Sequence, residues 1–161
     1  MSTAHAEASL AVKIFKGDDH VLYCDIIAKH DTRPLRKSLQ EGINMSFLWT
    51  LRIEEVNQYW WNHEFATVHI HHKVIPDLLS GNWALVDQSS GINQHVSNID
   101  DAIAFLISFK QLPFLDQSLL DQNKKYLLQI ELHSSAGASD QEIDSWFYTP
   151  HEIAATTLSL P

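Results

Sequence analysis

Long stretches of strict apolar–polar alternation, turn-forming clusters between them, and only two short segments with helical spacing predict a mainly β fold. The most economical arrangement is an antiparallel β-sandwich, immunoglobulin-like in general shape, with two short helices. The stretch that carries this reading runs from Ile43 to Val74. In its first half Ile43, Met45, Phe47, Trp49, Leu51 and Ile53 share one side, opposite Asn44, Ser46, Thr50, Arg52 and Glu54, and Leu48 alone is out of place. Period two over this length marks a half-buried strand. In the second half the parity changes, with Ala66, Val68, Ile70 and Val74 apolar and Thr67, His69, His71 and Lys73 facing out. Pairing must then match odd positions to even ones, because a slip of one residue would send one apolar set into water.

The remaining elements follow in order. Leu10, Val12 and Ile14 alternate with their neighbours, Lys16-Gly17-Asp18-Asp19 is a turn, and Val21 to Ala28 is rich in β-branched residues, so a first hairpin is expected. Asp31-Thr32-Arg33-Pro34 supplies capping groups and an early proline ahead of Leu35 and Leu39, with Gly42 at the stop, which predicts a helix of a few turns. Beyond the central hairpin, turn signals at Pro76-Asp77 and Ser80-Gly81-Asn82 precede a short strand from Trp83 to Val86, and polar Gln88 to Asn98 reads as loop. Ser97 with Asp100 resembles a capping box, and Ile99, Ala102, Ile103, Leu106 and Ile107 follow at helical spacing, ending before Pro113. Tyr126, Leu128, Ile130 and Leu132 predict another strand. Ser134 to Ser145 reads as a loop, and Trp146-Phe147-Tyr148 and Thr156 to Leu160 as edge strands. No repeat or linker divides the chain, so residues 1–8 are expected to be a flexible terminus and 9–161 a single sandwich domain.

With 161 residues, 45% of them hydrophobic and 19% charged, the chain has the composition of a globular domain able to bury roughly 70% of its unfolded surface. A formal charge of −9 with scattered Lys and Arg opposes binding to nucleic acid or to an anionic membrane. The longest strongly apolar run, Ala102 to Phe109, is far below the roughly 20 residues of a membrane-spanning helix. The single cysteine, Cys24, shares a strand face with Leu22, Ile26 and Ala28 and is expected to be a buried, inert thiol. Ala4-His5-Ala6 has the small-x-small pattern of a signal-peptide cleavage region without the apolar segment that precedes one; it reads either as a trimmed export signal or as an Ala-rich terminus.

Gly42 followed by an alternating strand, then Tyr59-Trp60-Trp61-Asn62, a second strand, a helix beginning near Ile99, and Asp116 to Tyr126 leading to another strand form a pattern that resembles a known family. It is similar to the bacterial exported domain of unknown function number 4390, found in proteobacteria and often encoded near sensor kinases of the nitrogen-regulation type. The likeness covers most of Leu10 to Leu132. It implies export, a periplasmic location and a single small domain, and it carries over no catalytic residue. Relatives tend to have arginine just before the aromatic cluster, whereas Glu54, Glu55, Asn57 and Gln58 occupy that approach here.

Two groups of side chains are candidates for function. His69 and His71 project to one strand face about 6.6 Å apart along the chain, a spacing at which two imidazoles can converge on Zn²⁺ or Cu²⁺ if a third donor joins them. Odd-to-even pairing sets Arg52 or Glu54 opposite His69 in neighbouring registers, so Glu54 is a third donor in one of them, and His63 lies in the preceding turn. The plainer reading is a solvated polar face. His72, on the side of Ile70 and Val74, reads as a structural residue. Tyr59, Trp60 and Trp61 are a candidate recognition surface, since each pairs an apolar body with a polar handle, although such residues also plug sandwich ends. The acid pairs Asp18-Asp19, Glu54-Glu55 and Asp100-Asp101 suit solvation or capping, and no nucleophile elbow, phosphate loop or dinucleotide fingerprint is present. With no catalytic motif in the residues, the resemblance implies a non-catalytic, cofactor-free exported module that binds a protein partner in the cell envelope, in sensing or assembly. The alternative is a Zn- or Cu-binding protein or metal-dependent enzyme using the His-x-His pair.

Overall fold

The computed structural model describes residues 9–29, 31–137 and 152–158. The terminus at 1–8, with its Ala4-His5-Ala6 pattern, and the Trp146-Phe147-Tyr148 segment lie outside the described residues. Strands β1 (Ser9–Lys16) and β2 (Val21–Lys29) form the first hairpin, helix α1 (Arg33–Gln40) leads to β3 (Met45–Glu55), and β4 (His63–Asp77), β5 (Asn82–Asp87) and β6 (Ile92–Val96) follow. Helix α2 (Ile99–Ile107) passes directly into β7 (Ser108–Asp116), and a 3₁₀ turn precedes β8 (Tyr126–Ala136) and β9 (Glu152–Leu158).

These strands make two antiparallel sheets, a three-stranded one in the order β1-β2-β7 and a six-stranded one in the order β6-β5-β4-β3-β8-β9, stacked as the expected sandwich. Strand β3 is the spine of the larger sheet. Its partners run from Met45↔Val74 to Ile53↔Ala66 on one side and from Met45↔Ala136 to Glu55↔Tyr126 on the other, all odd to even. Beyond Ile53 a bulge on β4 shifts the pairing so that Glu54 meets Glu64. The extra residue, Phe65, packs edge-on against Tyr126 at 5.5 Å.

Burial follows the alternation. Met45, Phe47, Trp49, Leu51 and Ile53 are buried with Leu128, Ile130 and Leu132 of β8 and with Leu22, Cys24 and Ile26 of β2, while Leu48 stands on the solvent face. Ile70 is buried as expected, and Val68, at the border of the core, is half-buried. The indole N–H of Trp49 donates to the Leu106 carbonyl at 3.1 Å and its ring meets Phe109 edge-on at 5.2 Å, which ties α2 and β7 to the large sheet. Desolvation, with a smaller contribution from the charge of Asp25, pushes the Cys24 thiol up to about 12, so it is inert as expected.

Several elements differ from expectation, each for a local reason. Asn98, not Ser97, caps α2, its side-chain oxygen accepting the Asp100 N–H at 2.9 Å. The polar stretch read as loop contains β6, whose exposed side chains carry no alternation because β6 is the edge strand. Helix α2 does end before Pro113 as expected, and Pro113 itself lies within β7, an edge strand of the small sheet, beside a register shift opposite Tyr23, where a missing N–H is tolerated. Ser134–Ala136 extend β8 instead of opening a loop. Gly42, at φ +82°, closes α1 as expected and lies so near Leu78 that a Cβ there would fall 2.8 Å from its Cδ1. The two helices are linked by an ion pair between Arg36 and Asp100.

Candidate functional site

Six strands face three, and α2 covers part of the difference by packing on β4, β5 and β6. What it leaves open is a cleft of about 360 Å³, walled by Ile70 and His72 of β4, Leu85 and Asp87 of β5, Phe105 of α2 and Phe109 of β7. The β4–β5 register pairs His72 with Asp87 directly, so both side chains leave the sheet on the same face. The His72 ring is buried, stacked on Phe105 with centroids 4.0 Å apart and planes 3° from parallel, and it tilts against Phe109 at 4.9 Å. Its Nδ1 is 2.8 Å from the Phe105 carbonyl oxygen, and its Nε2 is 3.7 Å from Asp87 Oδ2.

Asp87 is held by the turn it opens. Its Oδ1 accepts the N–H groups of Ser89 at 2.9 Å and Ser90 at 3.3 Å, and its carbonyl accepts from Gly91 at 2.8 Å. Burial acts to raise this carboxyl's pKa, but the Ser90 hydroxyl and the two amides, with His72 adding to them when protonated, outweigh it and hold the group below the usual aspartate value. The turn is clamped to β4 in its own right, with the His71 N–H donating to Ser89 Oγ at 3.0 Å and the Gln88 N–H to the His71 carbonyl at 2.9 Å.

His69 and His71, singled out in sequence, lie on the opposite face of β4 from His72. His69 is exposed and sits across from Thr50, whose Oγ1 is 3.2 Å from His69 Nδ1; neither Arg52 nor Glu54 takes that place, because the register falls two residues short of the nearer of them. His71 pairs with Leu48, and His63 pairs with Glu55 at the far end of the hairpin, six positions from His69. Glu54 instead meets the amides of Asn62 and Gln129, each at 3.4 Å. Among the described residues no group of three or more His, Cys, Asp or Glu side chains converges as a metal site requires.

At that far end Tyr59, Trp60 and Trp61 crown the β3–β4 turn and are 86%, 74% and 90% exposed, so they do not plug the sandwich. The turn's base is pinned. Asn57 accepts the Tyr59 N–H at 3.1 Å, the Val56 N–H donates to the Lys125 carbonyl at 2.8 Å, and Lys124 pairs with Glu55 at 2.9 Å. Beside the tip, β5 pairs only with His72–Asp77 of β4, so the backbone edge from His63 to Val68 has no strand partner among the described residues. Tip and cleft are roughly 30 Å apart along β4, nine residues at about 3.3 Å each.

A family model described as Domain of unknown function (DUF4390) matches residues 8–138. The chain belongs to that family. The match takes in both the aromatic tip and the cleft of this DUF4390 domain, and the tip's acidic approach is occupied locally, Glu55 by Lys124 and Glu54 by Asn62. No curated protein and no solved structure matches the chain. Sequence reasoning placed His72 inside this DUF4390 sandwich but missed Asp87, whose signal was the Asp-x-x-Ser-Gly turn at positions 87–91, hidden in a stretch read as loop.

Proposed function

We propose that this protein is a non-catalytic, exported binding module of the bacterial cell envelope that acts through its aromatic tip on a protein partner, in sensing or assembly. One observation carries the reading: three adjacent aromatic side chains stand out in water on a turn whose base is hydrogen-bonded and ion-paired. Exposing that much apolar surface is unfavourable unless a partner covers it, and Tyr and Trp are the side chains that dominate protein interfaces. A protein fits better than a lipid surface, because a chain of charge −9 is repelled by anionic headgroups. The edge of β4 beside the tip, without a strand partner among the described residues, adds a row of backbone groups to which an extended partner segment can pair. Export is supported by the resemblance drawn above and by the Ala4-His5-Ala6 pattern.

The test places a photo-crosslinking residue at Trp61 or, as a control, at Thr50 on the face of the large sheet, in the native host. A discrete adduct in the envelope fraction from position 61, absent from position 50 and lost on Trp60→Ala, supports the reading. Protein retained wholly in the cytoplasm, or identical adducts from both positions, overturns it.

A further inference from the structure

The His72–Asp87 pair leaves a chemical mismatch inside the cleft. A carbonyl oxygen has no proton to give, so the 2.8 Å contact to Phe105 requires the hydrogen to be on His72 Nδ1. In the neutral ring Nε2 then presents a lone pair, and it faces Asp87 Oδ2 at 3.7 Å. Two acceptors oppose one another in an apolar wall. Asp87 cannot turn away, since its other oxygen is fixed by the amides of Ser89 and Ser90, which with the Ser90 hydroxyl outweigh burial and hold its pKa below the usual aspartate value. A pair of this kind, its imidazole buried and its carboxylate half-buried, is stabilised by a donor carrying positive charge. The separation lets one nitrogen reach both acceptors at about 2.8 Å.

We propose that the cleft is a binding site for a small primary amine with a compact apolar body, its ammonium donating to Nε2 of His72 and to the Asp87 carboxylate while its hydrocarbon lies against Leu85, Phe109 and Leu112. The volume of about 360 Å³ lies within the range of small-molecule sites. An alcohol of the same shape has one hydrogen to donate and no charge, and a carboxylate would be repelled by Asp87. The site is independent of the aromatic tip. A proton on Nε2 is the competing occupant, because imidazolium would satisfy Asp87 without any ligand.

Calorimetry with 2-phenylethylamine, 2-phenylethanol and 3-phenylpropanoate on the whole chain tests this. The amine should bind saturably and at least about tenfold more tightly than the alcohol, with no binding of the carboxylate. Asp87→Asn should weaken the amine at least about tenfold and leave the alcohol unchanged, Leu112→Trp should fill the cleft and abolish binding, and Trp61→Ala should change nothing. Equal affinity for amine and alcohol overturns the proposal, as does full amine binding by Asp87→Asn. So does a nitrogen NMR spectrum at neutral pH showing both His72 nitrogens protonated together with no amine binding. If Asp87→Asn fails to fold, the wild-type preference for amine over alcohol and its loss in Leu112→Trp decide the matter.

Discussion

Asp77 and Asp87 open the two turns that bracket β5, in the sequences Asp77-Leu78-Leu79-Ser80-Gly81 and Asp87-Gln88-Ser89-Ser90-Gly91. Locally they are the same device. In each, the carboxylate accepts the N–H groups two and three residues on, at 3.0 and 3.3 Å for Asp77 and at 2.9 and 3.3 Å for Asp87, and the closing glycine has φ near +71° or +76°. Each aspartate also feels a histidine, His95 for Asp77 and His72 for Asp87. The surroundings then separate them. Asp77 is governed first by its bond from the Ser80 hydroxyl, whereas for Asp87 the largest influence is burial, working against the other contributions. His95 is exposed and His72 is stacked in the core. One five-residue pattern thus serves as a plain solvent-facing turn at one end of β5 and as a wall of an apolar cleft at the other.

The largest expected effect is on the histidines. His72→Ala removes a ring stacked on Phe105 and a hydrogen bond to its carbonyl, and should cost about 2 to 3 kcal/mol by chemical denaturation. His95→Ala should stay within about 0.5 kcal/mol, as exposed substitutions do. Equal losses would mean that the cleft contributes no packing that the open turn lacks.

The glycines test the opposite point, that the two turns are alike. Gly81→Ala and Gly91→Ala meet no neighbouring atom within 4 Å, so each should cost only the left-handed backbone strain of about 1 kcal/mol. Thermal melts in which one variant is neutral and the other severe would show that the turns differ in backbone as well as in setting.

The smallest effect appears in acid. Both carboxyls are held below the ordinary aspartate value of 3.8, so each stabilises the fold above that pH and loses its contribution as pH falls through its lower folded value. Wild type should therefore lose stability more steeply below about pH 4 than Asp77→Asn or Asp87→Asn. Urea midpoints that fall in parallel for all three proteins would remove the carboxyls from the account.

The cores of β3 and β4 were legible because side-chain direction in a strand has period two, and a buried face tolerates no slip: Phe47, Trp49, Leu51 and Ile70 lie inside as the alternation demands. Cys24 was legible for the same reason. Parity could not choose among registers that differ by two residues, and that choice set Thr50, not Glu54, opposite His69.

Short-range chemistry is what this sequence determined by itself: alternating faces, a proline and a glycine bounding α1, and turn glycines at positive φ, each decided within a few residues of chain. Tertiary structure alone decided the pairing of β6 at the edge, the insertion of β7 beside β2, and the meeting of His72 with Asp87 and with Phe105, 33 positions away. Side chains so distant in sequence leave no local periodicity. The cleft exists because six strands cannot be covered by three, a mismatch that arises only once the sheets have formed.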